Sequence, residues 1–186
     1  MKRIVVLLLF SILLISCGSE KSVDSYIIEN SDYEGRYVAK IVRIIDGDTF
    51  VSFANNDSLK IRLSGVDTPE MGNGKSKLHQ PYANKAKEYM TNLILGQEVL
   101  IIPKEKDRYG RLVAWVFLDD IDISEELLKA GLAWHFVKYD SNDNYTRFEK
   151  KARSKRIGLW EDNVPIAPWE WRKMKKEEKE EYMSSR

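Results

Sequence analysis

The chain concentrates carboxylate and guanidinium side chains in three short stretches. They read Asp-Gly-Asp-Thr at 46–49, Arg-Leu-Ser-Gly-Val-Asp-Thr-Pro-Glu at 62–70 and Asp-Arg-Tyr-Gly-Arg at 107–111. Taken singly, each stretch is typical of a turn, a helix start or a charged loop. Together they contain what cleavage of a phosphodiester needs: oxygen ligands for a cation, permanent positive charge and a carboxylate base.

Two aspartates are candidate ligands of a cation. Asp48 and Asp67 are predicted to lie at the ends of neighbouring strands, where the Thr68 carbonyl and water would complete the ligand set. These are hard oxygen donors, which suit Ca²⁺ and not a soft metal. The sequence therefore predicts a calcium site at Asp48, Asp67 and Thr68.

Three further side chains are candidate catalytic groups. Arg62 and Arg111, expected on different strands, offer planar guanidiniums that match phosphate geometry and stay charged at any working pH. Glu70 follows Asp67 closely enough to orient and deprotonate an attacking water. Burying such a mixed cluster costs desolvation free energy, so stability alone is a poor reason to assemble it. Hydrolysis is the better interpretation.

The elements that must position these groups are short strands and helices. Strands are predicted at 37–45, Thr49–Ala54, 59–64, 99–102 and Leu112–Leu118, and Leu59, Ile61 and Leu63 are expected on one face of the third. Helices are predicted at 81–95, from a Ser124 cap to Gly131, and at 144–156. Five short strands with about three helices favour a mainly β fold with α, a five-stranded Greek-key barrel of the OB type.

The three stretches, in this order and with an intervening helix, resemble the staphylococcal nuclease (thermonuclease) family over about residues 37–160. The resemblance implies an OB barrel and Ca²⁺-dependent cleavage of DNA and RNA that leaves 3′-phosphate ends. It assigns the ion to the carboxylates of Asp48 and Asp67 and the carbonyl of Thr68, with Asp46 nearby. It assigns catalysis to Arg62, Glu70 and Arg111.

The same resemblance implies a substrate-binding surface. It places Arg108 and Tyr109 against a terminal phosphate of the substrate. Arg108 stands where the best-known member of the family has a lysine, so the charge is kept but the reach and the hydrogen-bond geometry differ. Tyr139 is the candidate for an aromatic that stacks on a base. Around the third stretch four basic residues outnumber two acidic ones within 104–111. Single-stranded or frayed DNA and RNA, bound without sequence preference, are the predicted substrates.

The composition excludes several other classes of protein. The 186 residues include a single cysteine, which rules out an intrachain disulfide scaffold and a zinc module with several cysteine ligands. An apolar content of 43% is enough to bury a core, so full disorder is excluded. The net charge of +1 argues against a chain whose whole surface binds nucleic acid, but allows a local basic groove.

The first residues resemble a bacterial lipoprotein signal peptide. Lys2 and Arg3 precede an apolar run at 4–15 that is too short to span a bilayer comfortably, and small residues then lead to Cys17. The resemblance implies export and a lipid anchor on Cys17 in a bacterial membrane. A plain secretory signal and an uncleaved anchor are the alternatives.

The domain organisation follows from these segments. Residues 1–16 are the predicted signal peptide, 17–34 a flexible tether, 35–163 the nuclease domain and 164–186 a charged extension. Trp169 and Trp171 in that extension are expected to dock on the barrel, and 173–181 to form a solvated helix. No obligate protein partner is evident, so a monomer is predicted.

A different class of function stays open at this point. An OB barrel can bind nucleic acid without cutting it, and a lipoprotein barrel could instead bind a protein or a glycan. A purely binding module gains nothing from Asp48, Asp67 and Glu70 beside a phosphate, because carboxylates without a cation repel it. The carboxylates therefore favour catalysis over binding alone.

Overall fold

The structure is a computed structural model that describes residues 35–54, 57–72 and 78–186. The predictions for the signal peptide at 1–16, the tether at 17–34 and the lipidated Cys17 lie outside the described residues. Within those residues, no helix is long and apolar enough to cross a membrane.

The described chain forms eight strands and five α-helices. The strands are β1 (Tyr37–Ile44), β2 (Thr49–Ala54), β3 (Asp57–Leu63), β4 (Val66–Asp67), β5 (Glu98–Lys106), β6 (Leu112–Leu118), β7 (Ile121–Asp122) and β8 (Trp134–His135). The helices are α1 (Ala83–Ile94), α2 (Ile123–Lys129), α3 (Asp143–Ser154), α4 (Pro168–Trp171) and α5 (Lys176–Ser184), and a 3₁₀ turn covers Gly158–Glu161.

Five of the strands close into a barrel. The order β3-β2-β1-β5-β6 is antiparallel throughout, and a parallel pairing of β3 with β6, in which Ile61 lies opposite Leu112, joins the two ends. Closure removes the open edges that five short strands would otherwise expose. The predicted five-stranded OB-type barrel is confirmed.

Alternating apolar residues fill the barrel, and helices cover its ends. The strands contribute Ile41, Phe50, Ile61, Leu63, Ile101 and Val116 to one cluster, together with Met90 and Ile94 of α1 and Leu127 of α2. Leu59 was expected on the same face as Ile61 and Leu63, but it is 40% exposed. The prediction failed there because β6 covers β3 only from Ile61 onward.

The helices differ from the predictions in two ways. Asp122, and not Ser124, caps α2, since its Oδ1 accepts hydrogen bonds from the backbone N–H of Ser124 (2.8 Å) and Glu125 (3.4 Å). The Ser124 hydroxyl instead donates to the Ser64 carbonyl at 3.1 Å. The described chain also has one short helix that was not predicted, α4, whereas α5 lies where a solvated helix was expected at 173–181 and buries none of its residues.

The C-terminal extension packs against the domain, as the two tryptophans predict. The Trp169 ring stacks on that of Phe136, with centroids 5.0 Å apart and planes 5° from parallel. Trp171 is almost completely buried. In addition, Nε2 of the buried Gln80 donates to the Ile166 carbonyl at 2.7 Å. The segment at 166–171, which includes α4, is therefore held against the rest of the domain.

Gly47 allows the turn between β1 and β2 to approach the rest of the domain. A Cβ at this position would lie 2.8 Å from Ala86 Cβ in α1 and 2.8 Å from Thr68 Oγ1, closer than atoms pack. Only glycine lets this turn come so near to α1 and Thr68. The approach brings the 46–49 stretch next to the 62–70 stretch.

Candidate active site

One guanidinium lies between the two predicted cation ligands. Arg62 sits on β3 opposite Thr49, and its Nη1 donates to Asp48 Oδ1 while its Nη2 donates to Asp67 Oδ1 at 2.8 Å. Both carboxylates are buried, Asp67 completely. The expectation that they lie at the ends of neighbouring strands is wrong in detail: Asp48 precedes β2, whereas Asp67 lies on β4, which pairs with β8. The structure nevertheless brings the two side chains together.

Asp48 is held by hydrogen bonds from several sides. Its Oδ2 accepts from the Thr68 backbone N–H at 2.9 Å, and its Oδ1 accepts from the Thr49 hydroxyl at 3.0 Å. Burial acts to raise the pKa of Asp48, but the charge of Arg62 and these hydrogen bonds outweigh it, so the pKa lies below its usual range. Asp48 is therefore charged at neutral pH.

The neighbouring Asp46 is different. Burial, together with the negative charge of Asp48, raises the pKa of Asp46 to about 7. Its Oδ1 accepts a hydrogen bond from the Asp48 backbone N–H at 3.1 Å. The site thus holds two neighbouring aspartates, the partly buried Asp46 and the buried Asp48, with opposite pKa shifts.

The donor set fits a hard cation. Two buried carboxylates and a threonine are oxygen ligands of the kind that Ca²⁺ accepts alongside water. Thr68 Oγ1 is buried without a hydrogen-bond partner among the described residues, which leaves an unused oxygen beside Asp48. No group of three or more His, Cys, Asp or Glu side chains in the described part of the chain is arranged to hold a metal. A cation here would depend on two carboxylates with threonine oxygen and water.

The predicted base, Glu70, is anchored through its backbone. Its N–H donates to Gln80 Oε1 at 3.0 Å, and its carbonyl accepts from the Gln80 N–H at 2.9 Å. Its carboxylate is half-buried and accepts from Arg172 Nη1. Burial raises the pKa of Glu70, although the hydrogen bond and charge of Arg172 act in the opposite direction.

The sequence analysis missed two residues of this site, Gln80 and Arg172. Arg172 also donates to Asp67, from Nη2 to Oδ2 at 2.7 Å and from Nη1 to Oδ1 at 3.2 Å. The docking of Trp171 was the available signal, because a residue that follows a buried tryptophan must also stay near the barrel. No motif pointed to Gln80.

Arg111 reaches the same cluster from the turn between β5 and β6. It lies just before β6 and not on a strand, contrary to the prediction. Asp107 holds it by accepting from the Arg111 backbone N–H (2.9 Å) and Nε (2.7 Å). Its Nη1 lies 3.5 Å from the Thr49 hydroxyl, which in turn donates to Asp48. The Thr49 hydroxyl therefore lies between the Arg111 guanidinium and the Asp48 carboxylate.

The predicted substrate-binding residues lie at two places. Arg108 and Tyr109 are on the tight turn that carries Arg111, with the Arg108 Cζ 4.9 Å from the centre of the Tyr109 ring. The Tyr109 ring is 68% exposed. Tyr139 is also exposed, but it packs edge-on against Phe136, with ring centroids 4.8 Å apart. Tyr139 is therefore part of a separate aromatic cluster with Phe136.

The chain is similar to known nucleases. Residues 60–162 match the family model of staphylococcal nuclease homologues. Staphylococcal-like nuclease CAN1 of Arabidopsis thaliana is 39% identical over 137 residues, which cover 72% of this chain and 40% of that protein. A protein named "uncharacterized endonuclease" from Haemophilus influenzae is 36% identical over 138 residues, 74% of each chain. Another of that name, from Escherichia coli O157:H7, is 31% identical over 146 residues, 78% of this chain and 88% of that one.

The coverage of these matches differs between relatives. The chain spans 40% of the length of the Arabidopsis protein, less than half. The family match includes the second and third stretches, at 62–70 and 107–111, but it begins after Asp48 and ends before Arg172. The contact of Arg172 with the site therefore comes from outside the matched range.

Proposed function

Since the chain belongs to the family of staphylococcal nuclease homologues, we propose that it is a calcium-dependent nuclease. It hydrolyses phosphodiester bonds of DNA and RNA and leaves 3′-phosphate ends. The observation that carries this proposal is the convergence of Asp48, Asp67 and Glu70 on one place, with Arg62 between the aspartates and Arg111 nearby.

The cation is assigned to Asp48, Asp67 and the oxygens of Thr68. Calcium bound there would neutralise charge on a phosphate oxygen and so favour attack at phosphorus. The low pKa of Asp48 supports this assignment, because a charged carboxylate is ready to bind a cation without first losing a proton.

Glu70 serves as the general base. Two hydrogen bonds to Gln80 fix the backbone of Glu70. The Glu70 side chain therefore starts from a fixed position close to Asp67. A carboxylate with a raised pKa accepts a proton from water more readily than an ordinary one, and burial raises the pKa of Glu70. The half-exposed side chain can also reach solvent water.

Arg111 stabilises the charge that develops on the phosphate. Its Nε donates to Asp107, whereas its Nη1 makes only a long contact to the Thr49 hydroxyl. The outer nitrogens of the guanidinium are therefore weakly held and can donate to a phosphate. Arg62 has a second role, because it is bonded to both Asp48 and Asp67 and sets the spacing between them. In that position it is also within reach of a phosphate that approaches the two carboxylates.

The surface around the site suits a flexible polynucleotide. Tyr109 and Tyr139 expose aromatic rings, and Lys104 Nζ donates to the Tyr139 carbonyl at 2.8 Å, which places positive charge beside one of them. Base stacking and phosphate attraction are both independent of sequence. Single-stranded or frayed DNA and RNA are therefore the proposed substrates, with Arg108 and Tyr109 at a terminal phosphate.

The proposed location is a bacterial membrane. The pattern of residues 1–17 supports a signal peptide that ends before a lipidated Cys17, with 17–34 as the tether to a monomeric nuclease domain at 35–163. Replacement of Cys17 by Ser should abolish incorporation of labelled palmitate in bacteria that express the protein. Unchanged labelling would contradict the lipid anchor and leave the nuclease proposal intact.

A cleavage assay tests the function. The purified protein should cut single-stranded DNA and RNA in Ca²⁺ and stop when EGTA is added, because the carboxylates then lack their cation. Calcium should restore activity, and Mg²⁺ should not. Binding of either polynucleotide in Ca²⁺ without any cleavage would overturn the proposal in favour of a non-catalytic nucleic-acid-binding barrel.

A further inference from the structure

Arg172 is placed at the active site by a segment outside the family match at 60–162. It directly follows α4, whose Trp171 is buried and whose Trp169 stacks on Phe136. The backbone of Arg172 adds a hydrogen bond from its N–H to the Pro168 carbonyl at 3.0 Å. These contacts hold the start of the Arg172 side chain at a defined place.

The Arg172 guanidinium takes up the oxygens that a cation would need. It donates to both oxygens of Asp67, at 2.7 Å and 3.2 Å, and also to Glu70 Oε1. Calcium ligands approach to about 2.3–2.6 Å and need an open lone pair on each oxygen. An ion bound to Asp67 Oδ2 would therefore compete with Arg172 Nη2 for the same oxygen, and the two positive groups would repel each other.

We propose that Arg172 is the resident cation of this site: it holds Asp67 and Glu70 together until a divalent ion displaces it. The inference rests on the proposed function, because it assigns Asp67 to the ion and Glu70 to the base. It makes Arg172 a positioning residue that sets how tightly the site binds calcium. The same displacement releases the Glu70 carboxylate, so the base becomes available only when the ion is bound.

Arg172, and not Arg62, is the guanidinium that leaves. Its side chain is 42% exposed against 15% for Arg62, so it can move into water with less rearrangement. Arg62 is also bonded to Asp48 and to the Val66 carbonyl, and it belongs to a barrel strand. Arg172 directly follows the short helix α4 and contacts the site through the tip of a long side chain.

Competition of this kind weakens the binding of the ion. The apparent association constant equals the intrinsic constant multiplied by the fraction of molecules in which Arg172 does not occupy Asp67. If Arg172 occupies Asp67 in nine molecules of ten, removal of the guanidinium should tighten calcium binding about tenfold. The direction is diagnostic, because loss of a residue that merely supports the fold would weaken binding.

Isothermal titration calorimetry of the full chain with CaCl₂ measures this directly, without any cleavage step. Arg172→Ala should bind Ca²⁺ about tenfold more tightly than the natural chain. Arg172→Lys, which keeps the charge but lacks the planar set of donors that pairs with both oxygens of Asp67, should fall between them. Lys173→Ala is the matched control, since its ion pair is with the exposed Glu170, and it should leave the affinity unchanged. Arg172→Met keeps the apolar stem without a donor, and replaces the alanine variant if circular dichroism shows that variant unfolded.

The outcomes separate this inference from the proposed function. If the natural chain binds calcium and cleaves nucleic acid, but the folded Arg172 variant has an equal or weaker affinity, only the role of Arg172 is overturned. If neither protein binds calcium, both this inference and the calcium part of the proposed function fall. If Arg172→Ala binds calcium more tightly and Lys173→Ala binds it as the natural chain does, the result supports the role of Arg172 and the calcium part of the proposed function.

Discussion

Glu70→Gln should lower kcat for cleavage of single-stranded DNA by about 10²–10⁴-fold, the range that general-base catalysis contributes. The amide keeps the size of the side chain and an oxygen that can accept from Arg172, so the fold and the Gln80 contacts should persist. What it loses is the ability to take a proton from water. Initial rates at saturating substrate and calcium measure the effect, and KM should change little.

The matched control for Glu70→Gln is the same chemical change at Glu88, an exposed carboxylate on α1. Glu88→Gln should retain full activity, because it lies outside the cluster of site residues. If Glu70→Gln cleaves as fast as the natural chain, Glu70 is not the base, and another group must activate the water.

Arg111→Ala should also depress kcat strongly, by about 10²–10³-fold, which is typical for the loss of one donor to charge that develops in a transition state. Arg111→Lys should recover only part of that loss, since an ammonium cannot present the planar pair of donors that a phosphate accepts. Single-turnover cleavage rates in saturating calcium measure the chemical step apart from product release.

The turn that carries Arg111 needs its own controls. Arg111→Ala also removes the ion pair with Asp107, so thermal unfolding should be compared in parallel to separate loss of chemistry from loss of fold. Arg43→Ala removes a guanidinium from an exposed position on β1 and should cleave at the natural rate. If Arg111→Ala cleaves as fast as the natural chain, Arg111 is not a catalytic residue.

The barrel was predictable because its strands carry local signals. Alternation in the first and third predicted strands, an apolar run at Leu112–Leu118 and a turn at 46–47 help to define five short segments, and a closed barrel is the simplest way to pair all of them. The error at Leu59 has a physical cause, since alternation assigns a face but cannot tell how far a neighbouring strand extends over it. The α2 cap was misplaced because Asp122 and Ser124 are both good capping residues two positions apart.

The site was predictable where its contacts are local and unpredictable where they are distant. Asp67 and Glu70 lie within a few residues of Arg62 in one stretch, and Asp48 is joined to them by strand pairing between β2 and β3. Arg172 meets Asp67 across 105 residues of sequence. No period or spacing encodes that contact, which depends on how the extension docks on the folded barrel.

The claim that these residues hydrolyse phosphodiesters is tested most directly by cleavage in ¹⁸O-labelled water. The purified protein and a single-stranded oligonucleotide react in Ca²⁺, and mass spectrometry locates the heavy oxygen in the products. The account predicts new 3′-phosphate ends that each carry one oxygen atom from water, and none when EGTA is present. Intact oligonucleotide in calcium, or label found only on 5′-phosphate ends, would contradict it.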